Sequence, residues 1–334
     1  FAADRLDLIL KLEADRMTSL RLTLEDIEPE RGVVLEERLM RIDNNPGAQL
    51  SEQAAAAMYA NHPYRIPIIG WEHEIRDITR TDLLDFYKAW YTPNNAVIVI
   101  SGDVETASVR EQVERHFGQI PSRPLPKRPQ WKEPPRSADR LVALSHPRVK
   151  QPSWSRRYIA PNAASGDTEQ VHALEVLSEI LSGGTTGRFY RQLVVEQALA
   201  AHTGSWYSSD NRGPGVFGFY GSPRPGKTLD EIETAVEAQI EDLLKNGVTE
   251  EEVRLAIERM QAEAVFARDS LTAPARILGN ALMTGQSIED VEAWPERIGA
   301  VTVEAVNAAA QSVFGNAGTV TTRLTPSKKT KDKS

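Results

Sequence analysis

Seven residues in the first half of the chain, Trp71, Ile75, Ile78, Thr79, Leu83, Tyr91 and Val97, recur in kind at a constant offset of 223. Their counterparts are Trp294, Ile298, Val301, Thr302, Val306, Phe314 and Val320. A gapless run of like-for-like residues over 27 positions exceeds what shared helix propensity produces, and it predicts a duplicated domain. The second copy begins near Asp139, which sets the start of the first about 84 residues before Phe1 (139 − 223 = −84). The first domain is therefore expected to be incomplete. Content agrees: residues 139–325 carry about five strand signals, whereas 1–118 carry one, AVIVIS at 96–101, and about five helices. Five amphipathic helices facing one strand have too little to bury their apolar faces against.

The expected architecture is α+β, with two homologous domains that each pack helices on a mixed or antiparallel sheet. Residues 1–118 form the C-terminal part of the first. Pro121, Pro124, Pro126, Pro129, Pro134 and Pro135 make 119–138 a semi-rigid extended linker. Residues 139–325 form the second domain, and 326–334 a basic, disordered tail. A length of 334 residues suits two cores of this size. The net charge of −8 argues against a nucleic-acid partner. Without cysteine there is neither a disulfide nor a thiolate metal site. No apolar run approaches the roughly 20 residues that span a bilayer.

The stretch ERGVVLEERLMRIDNNP, Glu30 to Pro46, reads as one helix closed by Asp43, Asn44, Asn45 and Pro46. Glu30 and Glu37 lie two turns apart on nearly the same face, separated by about 10 Å of rise. Val33, Val34, Leu35, Leu39, Met40 and Ile42 put apolar side chains in most directions, so the helix is expected to be largely buried. A buried carboxylate needs a cation, a dense set of donors or a raised pKa. Arg41, four residues after Glu37, offers a plainer alternative as an i,i+4 partner on a wet strip.

Other signals are weaker. A helix capped at Thr81 is expected to run to Trp90, and Thr249 to Glu252 spells a capping box. Ser182, Gly183, Gly184 and Gly187 form a glycine-rich loop, but no Lys-Ser/Thr pair follows, so capping outweighs phosphate binding. His73 sits between Glu72 and Glu74, neighbours that point in different directions on a helix. Trp154, Trp206 and Tyr207 read as core or wall residues of a sheet.

At this point the sequence resembles the pitrilysin/insulinase family of zinc metallopeptidases. The family's glutamate signature E-R-x-V-V-x-x-E appears as Glu30, Arg31, Gly32, Val33, Val34, Leu35, Glu36 and Glu37. LEADRM, HPYRIPIIG, AVIVISGDV and LSGGTTGRFYRQLVVEQALA are also similar to the bacterial branch. The resemblance implies a zinc-dependent endopeptidase whose domains close like a clamshell on an extended peptide, with Glu37 as the third zinc ligand and Glu30 supporting the site. It also brings the loop at Gly183 and Gly184 near the substrate chamber.

The sequence departs from the family in two ways. No HxxEH occurs among the six histidines. That motif, which supplies two ligands and the general base, is expected upstream of Phe1, so the chain alone should be inactive. The family's substrate-holding arginine and tyrosine fall on Val194 and Ala201. That implies a homo- or heterodimer in which a partner chain carries the Arg/Tyr pair, unless Arg188 or Arg191 compensates. The rival reading is a non-catalytic partner or structural subunit that kept the fold and lost the metal. By resemblance to exported bacterial relatives, the compartment is the periplasm.

Overall fold

A computed structural model describes residues 1–315 and 318–327. In chain order the helices of the first half are α1 (Leu6–Thr18), α2 (Leu24–Arg38), α3 (Pro46–Met58), α4 (Glu72–Asp77), α5 (Arg80–Trp90) and α6 (Thr106–Phe117). They are followed by β1 (Arg140–His146), β2 (Ser153–Ala160), α7 (Val171–Ser182), β3 (Ala200–Tyr207) and β4 (Gly215–Pro223). Then come α8 (Leu229–Asn246), α9 (Glu250–Ala267), α10 (Ala273–Thr284), α11 (Ile288–Gly299), α12 (Val303–Phe314) and β5 (Val320–Pro326). The chain divides into two compact units. One comprises Phe1–Leu39, Ile68–Gln130 and Ala267–Met283; the other takes Met40–Pro67, Trp131–Phe266 and the chain from Thr284 onward. Of the basic tail expected at 326–334, all beyond Ser327 lies outside the described residues.

The second unit is built on a five-stranded mixed sheet in the order β1-β5-β2-β4-β3. β1 and β5 run parallel, and the remaining pairs are antiparallel. All five strands overlap the five strand signals expected over 139–325. Successive side chains on a strand point to opposite faces. Trp154 and Tyr158 on β2 and Phe217 and Phe219 on β4 therefore meet the apolar stripes of α7, α8 and α12, in one core with Leu174, Leu177, Ile232, Val306 and Phe314. On the opposite face α3 packs against β1 and β5, where Ala54, Met58 and Tyr59 bury Val320. The end of the proline-rich segment is tied down beside it. Glu133 accepts hydrogen bonds from the consecutive N–H groups of Ala60, Asn61 and His62, and Asp139 accepts from the N–H groups of Gly318 and Thr319.

The first unit is helical. α1 packs on α6 and α2 on α4, with Leu6, Leu10, Ala14, Ile27 and Ile75 buried, and Tyr87 of α5 is buried with its hydroxyl donating to Arg16 O. Residues 96–101, expected as a buried strand, form none. They carry no regular secondary structure, with Val97 and Ile98 each more than 40% exposed, because no described strand of this unit supplies a hydrogen-bonding ladder beside them. The cap of α5 is Thr79 rather than Thr81: its hydroxyl receives Asp82 N–H at 3.2 Å, and Asp82 returns the bond to Thr79 N–H at 2.8 Å. Its counterpart at the offset of 223, Thr302, caps α12 by accepting Ala305 N–H, without the reciprocal bond because residue 305 is Ala, and Ile75 and Ile298 are both buried. No described helix is long and apolar enough to cross a membrane.

Candidate functional site

The two signature glutamates lie on α2, which begins six residues before Glu30. Thr23 and Asp26 form a reciprocal capping box at its start, and Pro29 is accommodated inside the helix. The helix passes into a π-helical turn over Leu39–Asp43. Pro46, read as a terminator, instead opens α3, with the Asn45 side chain capping Gly47 and Ala48 N–H.

Two arginines, spaced by seven like the glutamates, fasten α2 to its unit. Arg31 donates to Ile78 O at 2.6 Å and Arg38, itself buried, to Gly70 O at 2.8 Å. Glu30 and Glu37 each precede one of these arginines and so occupy the adjoining strip, about 100° round the helix. The expectation of a largely buried helix is not met. Only Ile27 and Arg38 are buried along α2, Glu30 is exposed, Glu37 is half-buried, and Val33 and Met40 are 58% and 67% exposed. Among the described residues α4 covers one face of α2, and apolar periodicity alone does not say what covers the others. Glu30 therefore escapes the cost of burial and Glu37 bears only part of it, so burial alone demands no cation beside them.

No group of three or more His, Asp or Glu side chains among the described residues is placed to hold a metal ion. The histidines are dispersed. His62 is buried and accepts Tyr64 N–H at 3.2 Å through Nδ1, His116 meets Asp7 at 2.8 Å, and His172 meets Glu175 at 3.1 Å. His73 and His202 are exposed on α4 and β3. A lone Glu37 does not fit a zinc centre, which needs three protein ligands to hold it.

The remaining positions are also resolved. Val194 is sealed in the sheet core of the second unit, and Ala201 is exposed at a register irregularity of β3. Arg188 does not stand in for the missing arginine: its Nε and Nη2 are held by Glu252 at 2.5 and 2.7 Å. Arg191 is exposed. Gly183 closes α7, where its N–H reaches Glu179 O and an added Cβ would fall 2.5 Å from that oxygen, and Gly184 adopts φ +62°. The loop thus gathers helix C-terminal carbonyls, the wrong end of a helix for phosphate.

The descriptive model of the Peptidase M16 inactive domain matches residues 77–260. The chain belongs to the M16 peptidase family. It is 28% identical over 323 residues to an uncharacterized zinc protease of Mycobacterium leprae, covering 92% of this chain and 68% of that protein. It is 30% identical over 251 residues to the zinc protease PqqE of Helicobacter pylori, covering 74% of this chain and 55% of the relative. A crystal structure of a Helicobacter pylori protease superposes with a TM-score of 0.88 at 26% identity, over 98% of this chain and 78% of that one. A peptidase M16 inactive domain from Pseudomonas fluorescens has the same fold, with a TM-score of 0.82 at 20% identity over 98% and 76% of the two chains. The M16 assignment agrees with the motif reading and with an α+β unit of this build.

Proposed function

We propose that this M16 chain is part of a zinc-dependent endopeptidase in which Glu37 is a metal ligand, Glu30 supports it, and the remaining ligands come from residues outside this sequence. The observation that carries the reading is the intact E-R-x-V-V-x-x-E signature on one helix, with Glu30 and Glu37 sharing the strip that adjoins Arg31 and Arg38. The names of the relatives as zinc proteases support it. The matched offset of 223, with caps at Thr79 and Thr302, supports a duplicated domain joined through 119–138.

A partner chain supplying the Arg/Tyr pair is part of the same proposal, supported by the burial of Val194 and the engagement of Arg188. A second reading, a non-catalytic subunit, is favoured by the inactive-domain description of the matched region. Metal analysis of the complete protein after dialysis separates them. Stoichiometric zinc that falls below about a tenth in Glu37→Gln is the expected result, since loss of one of three protein ligands removes most affinity. Full zinc in Glu37→Gln would show the ligand to be misassigned, and a complete wild-type protein that holds no zinc would establish the subunit reading.

A further inference from the structure

Trp206 and Tyr207 are neighbours on β3 and so face opposite sides of the sheet. Tyr207 belongs to the core, stacked on Phe217 at 5.7 Å with its hydroxyl donating to Pro161 O at 2.5 Å. Trp206 lies on the other face. The strand register aligns that face in three rows: Arg157, Gly218 and Trp206; Ser155, Tyr220 and Gly204; and Ser222 with His202. α3 covers this face at the β1 and β5 end, and its cover ends at Arg157, whose Nη2 donates to Ser51 on α3 at 3.1 Å.

Over β4 and β3 the face carries a continuous row of rings. His202 lies 6.3 Å from Tyr220, Tyr220 6.1 Å from Trp206, and the Arg157 guanidinium 5.9 Å from the Trp206 ring. Glycines let the rings lie across the sheet instead of standing off it. A methyl at Gly218 would fall 2.2 Å from Trp206 Cζ2, and one at Gly204 would fall 2.6 Å from the Tyr220 hydroxyl. The plate stays open: His202 is exposed, Tyr220 is 38% exposed and Trp206 is half-buried.

Three features of this plate exceed what packing requires. The ring nitrogens of His202, the Tyr220 hydroxyl and Trp206 Nε1 make no hydrogen bond to any described residue, and an aromatic with an unused polar tip is suited to an interface. Arg157 pairs with no carboxylate among the described residues, and its buried Nε has no partner. Burial alone pushes this guanidinium's pKa down, opposed only by Tyr59, so the end of the plate carries a cation that lacks a counter-charge.

We propose that the row His202–Tyr220–Trp206, ended by Arg157, is a peptide subsite that takes an aromatic side chain on the rings and a neighbouring acidic side chain at the guanidinium. The proposal rests on the peptidase reading for its class of ligand. The two fail separately, because binding is measured here on the zinc-free chain and needs no hydrolysis.

The probes are acetyl-Ala-Ala-Phe-Glu-Ala-Ala-amide and its Phe→Ala and Glu→Gln analogues, titrated calorimetrically. The chain should bind the Phe peptide about ten-fold more tightly than the Ala peptide. Trp206→Ala should bring that ratio to about one, while Arg157→Gln should abolish the Glu over Gln preference and keep the Phe preference. A wild-type ratio near one, or a ratio that survives Trp206→Ala, overturns the proposal. If Trp206→Ala does not fold, the wild type decides by NMR. The Phe peptide should shift the His202 Cε1 proton, and binding without that shift places the peptide elsewhere and overturns the subsite. An intact Phe preference in a complete protein without zinc would leave the subsite standing and remove the peptidase, and the converse result would remove the subsite alone.

Discussion

Phe219→Ala should destabilise the second unit by about 3–5 kcal/mol, the upper range for emptying a large aromatic from a packed interior. Phe219 has no exposed surface. Its ring meets Phe189 at 5.4 Å, Phe217 at 5.5 Å, Phe314 at 5.2 Å and Tyr158 at 6.0 Å. These neighbours come from the segment after α7, from β4 itself, from α12 and from β2, so one ring holds the sheet to helices that close the chain. The neighbours cannot all collapse into the space without leaving their own tilted and edge-on contacts, which makes the cavity term large. Urea unfolding followed by near-UV circular dichroism reads the loss. Phe219→Leu should recover about half, and Phe86→Ala, at a position 60% exposed, should stay within about 0.5 kcal/mol. A cost below about 1 kcal/mol for Phe219→Ala would mean that the aromatic cluster does not hold this unit.

That core was legible in the sequence because strand signals are local. The Trp154 to Tyr158 and Val216 to Tyr220 alternations needed no knowledge of their partners, and the T-x-x-E spacing of Thr249 and Glu252 names its own hydrogen bonds. Misreadings arose where the deciding fact was elsewhere in space or lay in a competing local signal. Residues 96–101 have strand composition, but a strand exists only with a ladder, and composition does not supply the neighbour. The helix read from Glu30 starts at Leu24, where Thr23 and Asp26 spell the cap. In Thr79-Arg80-Thr81-Asp82 the aspartate three residues on selects the first threonine.

The glutamates were legible as a motif and illegible as an environment, since helix periodicity describes which residues share a face and not what meets it. The ring plate was missed for a different reason. Trp206 and Tyr207 read as core or wall residues, and strand alternation lets only one of two neighbours face the core. That signal was available. The lack of a carboxylate beside Arg157 was not, because it depends on α3 presenting Ser51 there instead.

Glu252→Ala should cost about 3–5 kcal/mol, because it strands a guanidinium that is 14% exposed. Glu252 accepts Arg188 Nε at 2.5 Å and Nη2 at 2.7 Å, and also accepts the N–H and hydroxyl of Thr249, each at 2.9 Å. Arg188 Nη2 further donates to Gly247 O at 2.9 Å, so the pair ties the segment after the glycine-rich loop to the turn between α8 and α9. Burial raises the carboxyl pKa, but the Arg188 and Thr249 hydrogen bonds outweigh it and draw it from 4.5 to about 2. A group depressed in the folded state stabilises above its unfolded pKa and loses that contribution as pH falls through the folded one. The wild-type unfolding free energy should therefore drop relative to Glu252→Gln between about pH 4.5 and pH 2. The drop should be about 2 kcal/mol once the shift is discounted for the quarter of the carboxylate side chain that water reaches. Comparing the two proteins cancels the other carboxylates that titrate in the same window. Arg188→Leu combined with Glu252→Ala should be less destabilised than Glu252→Ala alone, because the double variant leaves no buried charge without a partner. Additive losses in that cycle, or parallel pH profiles for wild type and Glu252→Gln, would show that the two side chains touch without depending on one another.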